Sequence, residues 1–225
     1  MPDTSPALPG TNPAFAAAWS DLGPAPRRAL ELAHLALRTG GLAVGAVLTD
    51  ESGALVAEGR NRAYDPEAAG VGDGAAALVG TPLAHAELNA LAGARTGWDL
   101  ATHTLWSTQE PCAMCAAAAD FTGIGTVRFL AADPWALSTG RPSASERARR
   151  CAGPVWQAAA TALFLRSEVA AGGADGPTVR HMSVEAPLTA AMAKDRGFPD
   201  ATDVAELFTA LWPRLVAAAA EWTSS

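Results

Sequence analysis

Two short stretches constrain this chain more than anything else in it: HAE at 85–87 and PCAMC at 111–115. Cys112 and Cys115 stand three apart at the expected start of a helix, so both sulfurs lie on one face and reach one point. The positive end of a helix lowers thiol pKa and favours thiolate. Two thiolates there make a metal half-site, and zinc is the metal that suits them. The three-residue spacing alone equally suits two small apolar core residues on an alanine-rich helix. His85, at the start of another helix, supplies an imidazole and tips the balance. Glu87, two positions on, points in a different direction and is poorly placed as a ligand from the same face. It is better placed beside an open coordination position. Three protein ligands plus water is the catalytic zinc pattern, and four protein ligands is the structural one. A fold that uses both stretches must bring two helix starts together.

The rest of the chain supplies such a fold. A helix is expected from about Pro26 to Arg38, stopped by Gly40 and Gly41. AVGAVLTD and ALVAEGR read as two strands around a turn at 51–53. Residues 63–82 are mostly Ala, Gly, Pro and Asp, a long loop of the kind that forms lids and binding loops. LAHAELNALAGA has helical spacing, THTLWST is a strand, a helix runs from Cys112 to Phe121, and TVRFLAA is another strand. A helix follows from about Ser145 to Ala170, with Pro154 a possible break, then a strand over Thr178–Val184. The last helix spans about Asp203 to Trp222, kinked at Pro213. Strands alternating with helices imply a three-layer α/β/α fold on a central mixed five-stranded sheet. A helical crossover makes its last two strands parallel.

HAE followed by EPCAMC resembles the signature of the cytidine deaminase-like superfamily of zinc hydrolases, H-x-E…P-C-x-x-C. Further motifs place it nearest the branch of guanine deaminases and tRNA adenosine deaminases: VGAVL at 44–48, GRN at 59–61 and TLWSTQEPC at 104–112. The resemblance spans about Pro26 to Asp133 and weakens beyond. Residues 1–23, rich in Pro, Ala and Gly, read as a loosely ordered lead-in, and the resemblance implies a single zinc deaminase domain over 24–225, with a core at 24–133 and an extended C-terminal part at 134–225. It also implies that His85, Cys112 and Cys115 hold Zn2+ and that Glu87 shuttles protons. Zinc-activated water then attacks the carbon bearing the amino group, and ammonia leaves. Asn61, Ala86 and Trp106 are the expected substrate contacts, although Asn61 also suits a turn and Trp106 a buried core.

Charge bears on the substrate. The chain carries a formal net charge of −7, and Lys194 is its only lysine. That lacks the footprint expected for gripping a phosphate backbone. A small heterocyclic amine is therefore the expected partner, a free nucleobase or nucleoside, and nucleic acid is not. The alternatives are a tRNA adenosine deaminase and a non-catalytic zinc protein, which would need His103 or Cys151 as a fourth ligand. The three cysteines, the N-terminal MPDTSPALPG and the shortness of the apolar runs suggest a cytoplasmic protein with no membrane span. A homodimer is expected. His34, His103, His181 and Cys151 read as structural, and the arginines of RPSASERARR as a solvated helix face.

Overall fold

The computed structural model describes residues 12–66, 78–140 and 147–223. The expected loop at 63–82 lies partly outside these residues, as do residues 1–11 of the expected lead-in. Helices α1 (Pro13–Asp21) and α2 (Pro24–Arg38) come first, then strands β1 (Gly45–Thr49) and β2 (Leu55–Arg60). Next come α3 (Ala86–Leu91), β3 (Thr104–Gln109), α4 (Ala113–Thr122), β4 (Thr126–Ala131), α5 (Pro134–Thr139) and β5 (Ala148–Arg150). The chain closes with α6 (Pro154–Gly172), α7 (Pro177–Glu185), α8 (Pro187–Lys194) and α9 (Val204–Ala218). The sheet runs β2-β1-β3-β4-β5. β1 is antiparallel to β2 and β3, whereas the β3–β4 and β4–β5 pairs are parallel. The five-stranded mixed sheet with parallel last strands is thus as the sequence implies.

The pleat sorts residues onto two faces. Gly45 pairs with Arg60, and Val47 with Trp106. That face meets α2: a Cβ built on Gly45 would lie 2.1 Å from the Ala29 carbonyl oxygen. Ala46 pairs with both Gly59 and Ser107 on the opposite face. That face meets α3: a Cβ on Gly59 would lie 2.4 Å from the Ala86 carbonyl and 2.5 Å from the Ala90 amide. Only glycine permits approach this close from each side. The two glycines therefore press one helix onto each face of the edge hairpin.

Three sequence expectations are corrected. Ala148–Arg150 is not helical but forms β5, and the helix begins at Pro154, which follows Gly153. Proline lacks the N–H that a first helical residue leaves unpaired, so it starts this helix and does not break it. Thr178–Val184 is not a strand: it lies inside α7, with Pro177 in its first turn and Thr178, Val179 and Met182 buried on one side. The β-branched run imitates a strand, but the flanking proline and helical burial decide. Part of the expected loose lead-in is α1, whose Phe15 is 1% exposed. Phe15 and Trp19 enter an aromatic cluster with Trp156, Phe208 and Trp212, at ring separations of 5.4–6.1 Å. Such pairs add stability beyond burial and tie α1 to α6 and α9.

α6 is buried almost all round and packs against β3, β4 and α2. The Ala43 amide donates to Ser167 Oγ at 3.0 Å, which fixes α6 against the approach to β1. The turn after α9 returns to cap α8: the Glu221 carboxylate accepts from the amides of Leu188 and Thr189. Among the described residues no helix is long and apolar enough to cross a membrane.

Candidate functional site

His85 is the N-cap of α3 and Cys112 the N-cap of α4, both in extended backbone. Cys115 lies one turn inside α4 and is fully buried. Two helix N-termini thus converge, as the sequence requires. His85 Nδ1 lies 3.7 Å from Cys112 Sγ and 3.6 Å from Cys115 Sγ. The three ligand atoms all lie within 4.8 Å of one another. For Zn–N of about 2.0–2.1 Å and Zn–S of about 2.3 Å, a tetrahedral N···S edge comes to about 3.6 Å. The donor set and its spacing fit zinc.

Charge is distributed to suit a cation. The Cys115 hydrogen bond holds the Cys112 thiol far below its usual range, at about 3, while the Cys112 thiolate and burial push Cys115 up. The Cys112 thiolate likewise raises the His85 pKa. The group is a proton-sharing set of ligands, and a divalent cation takes the place of those protons.

Glu87 is 4% exposed. Its Oε1 accepts from Ser107 Oγ at 2.9 Å, and its Oε2 from Cys115 Sγ at 3.4 Å. Burial pushes its pKa up, which suits a carboxylate that takes and returns protons. No fourth ligand joins the group among the described residues. His103 bonds the Asp99 carbonyl and stacks on Trp98. Cys151 Sγ donates to the Phe129 carbonyl. Three ligands among the described residues is the number found in catalytic zinc sites, where water is the fourth.

These residues floor a cavity of about 490 Å³. Asn61, His85, Glu87 and Cys112 line it together with Leu42, Val44, Met114 and Phe164, and with Glu110, Asp133 and Glu168. Tyr64 and Trp135 stand partly exposed along it. Asn61 is buried, and its Oδ1 accepts from the Ala63 amide, which leaves the Nδ2 group to donate. The loop that carries it is held by Asp65, whose carboxylate accepts from Arg60 at 2.9 and 2.7 Å and from Arg62 at 2.9 Å. Burial also pushes the Asp133 carboxyl up to about 6, although its bond from the Trp135 amide opposes this.

The expected site residues separate clearly. His85, Glu87, Cys112, Cys115 and Asn61 come together. Ala86 is the first residue of α3, buried in the core, and does not line the cavity. Trp106 is not brought to the cavity. It packs with Ala25, Leu32 and Val47 on the α2 face, and its indole N–H bonds Thr49 Oγ1 at 3.1 Å. Its neighbour Ser107 is the strand residue that reaches the site. The alternation of side chains along a strand is the signal that separates them. A second cavity, about 690 Å³, lies along edge strand β2 among Arg28, Glu58 and Arg60, away from the metal-ligand group.

Residues 23–131 match the sequence model described as the cytidine and deoxycytidylate deaminase zinc-binding region. A tRNA-specific adenosine deaminase of Haemophilus influenzae is 37% identical over 110 residues, 48% of this chain and 56% of that relative. This chain therefore spans little more than half the length of the curated relative it matches. Among solved structures, a guanine deaminase from Nitrosomonas europaea is 23% identical, with a TM-score of 0.49, over 71% of this chain and 94% of that one. A guanine deaminase from Bacillus subtilis is 27% identical, with a TM-score of 0.40, over 53% of this chain and 69% of that one. Trp135, Phe164 and Glu168 line the cavity from beyond the deaminase region.

Proposed function

We propose that the chain is a zinc-dependent hydrolytic deaminase of a free nucleobase, nucleoside or related small amino-heterocycle. The carrying observation is the lining of the cavity. Its described walls hold the carboxylates of Glu87, Glu110, Asp133 and Glu168 and no lysine or arginine. Its volume of about 490 Å³ lies within the range of small-molecule pockets. A base or nucleoside fits such walls, whereas a phosphate backbone meets like charge.

His85, Cys112 and Cys115 are the residues that hold the ion. When bound there, zinc supplies Lewis acidity that activates water. Glu87 takes the water proton at its carboxylate while the oxygen bonds to the ring carbon that bears the amino group. It returns that proton to the adjacent ring nitrogen, then takes the second proton from the newly bound oxygen and passes it to the departing nitrogen. The C–N bond then breaks, ammonia leaves, and the carbonyl oxygen of the product comes from water. Ser107 keeps Glu87 oriented through these transfers. Asn61 Nδ2 donates to an acceptor on the heterocycle.

The similarity to a tRNA-specific adenosine deaminase favours a second reading, deamination of adenosine in a tRNA. One experiment separates them. Purified zinc-loaded protein is assayed for ammonia release from guanine, adenine, cytosine and their nucleosides, and for inosine in a tRNA anticodon stem-loop. Turnover of a free compound with an inert stem-loop supports the proposal, and the reverse selects the tRNA reading. Glu87→Ala is expected to keep one zinc per chain and to lose roughly 10²–10⁴-fold in activity.

A further inference from the structure

Glu168 is a carboxylate that the reaction above does not use. It sits on α6 one turn after Phe164, and both line the cavity. The bond from the Ala43 amide to Ser167 Oγ locks this part of α6 beside Leu42 and Val44, two further wall residues. Glu168 is half-buried, and burial pushes its pKa up, opposed by a hydrogen bond with Thr178 of α7. A carboxylate offers about four acceptor sites, so one hydroxyl leaves most of them open.

The described lining of the cavity holds three further carboxylates, those of Glu87, Glu110 and Asp133, and carries no lysine or arginine.

We propose that Glu168 is a specificity-determining residue: its carboxylate admits heterocycles that carry N–H or O–H donors, and it excludes phosphorylated ones. The inference rests on the deaminase reading and names the substrate class within it, unphosphorylated and donor-rich. Like charges brought together at a binding surface suppress the wrong ligand. A nucleoside 5′-monophosphate differs from its nucleoside only by that charge and is the probe for it.

The experiment uses the zinc-loaded full chain, wild type and Glu168→Gln, with adenosine, guanosine and cytidine and their 5′-monophosphates. Equilibrium dialysis gives Kd, and ammonia release gives kcat and KM. Wild type is expected to prefer each nucleoside it takes over the monophosphate by about 100-fold or more. Glu168→Gln keeps a partner for Thr178 and removes the charge. It is expected to narrow that preference about tenfold, to raise KM for the nucleoside more than it lowers kcat, and to leave zinc content unchanged. An unaltered preference in Glu168→Gln, or a wild type that takes monophosphates as well as nucleosides, overturns the inference. If nucleosides bind selectively but no ammonia appears, the deaminase reading fails and this one stands. If no compound of the panel binds, this inference falls, and the free bases assayed above decide the deaminase reading.

Discussion

Ser107 Oγ donates a 2.9 Å hydrogen bond to Oε1 of Glu87, from the one sheet face that α3 covers. The bond stabilises the carboxylate against the burial that pushes its pKa up. Ser107→Ala removes it, so the Glu87 pKa rises further. The base form is then scarcer at a given pH, and the acid limb of the kcat/KM profile moves to higher pH. A lost hydrogen bond to a charged group corresponds to a kcat loss of about tenfold or somewhat more. Ser107 is not in the cavity wall, so KM is expected to hold. A pH–rate profile of the variant with an unmoved acid limb contradicts the assigned role.

Asp65 anchors the loop of Asn61 through Arg60 and Arg62. Its pKa is lowered, chiefly by the Arg60 hydrogen bond. A depressed carboxylate contributes stability above its unfolded value, about 3.9, and loses it as pH falls through the folded pKa. Asp65→Asn is therefore expected to cost about 1–3 kcal/mol at neutral pH and progressively less in acid. Urea melts at pH 7 and near pH 3 check this, and a gap that widens in acid has the wrong sign. KM should rise as well, since Asn61 loses its anchored loop.

Gly59→Ala tests how the metal group is positioned. The new methyl would lie 2.4 Å from the Ala86 carbonyl, and the atoms it meets on α3 include backbone, which cannot swing aside. α3 must shift and carry His85 and Glu87 with it. Zinc affinity is expected to fall about 10–100-fold, the usual scale for disturbing the support of a ligand. Competition with a chelating dye measures it. Unchanged affinity would mean that His85 does not depend on this contact.

Trp106→Phe should leave kinetics alone. The indole lies on the far face of the sheet from Glu87, bonded to Thr49. Loss of that bond costs about 1 kcal/mol of stability. KM is expected within about twofold of wild type, because no truncated atom borders the ligand. A large KM change would place Trp106 back among the substrate contacts.

What could be read from the sequence follows a physical divide. His85, Glu87, Cys112 and Cys115 are legible because their roles depend on local helix geometry, and both helix starts carry their chemistry within a few residues. The sheet is legible through strand period and turn residues, and Asn61 through its place after β2. Trp106 was misread in favour of Ser107 because residue type outweighed pleat parity. β5 and α7 were misread because short β-branched or basic runs carry no decisive period, and pairing with β4 or the cap at Pro177 settles them. Asp133 and Glu168 carry no local signal at all. Their place in the cavity depends on how α5 and α6 pack, which no window of sequence contains.

The cavity has two walls from two stretches of chain. Residues 23–131 supply His85, Glu87 and Cys112, and residues beyond 131 supply Asp133, Trp135, Phe164 and Glu168. Substitutions at Trp135, Phe164 and Glu168 can alter the menu while the ligand group stays fixed, because none of the three belongs to that group. Evolution, or an engineer, therefore has a free hand on one side of this pocket only. A library confined to the cavity-facing positions of α5 and α6 is the shortest route from this chain to a deaminase with new tastes.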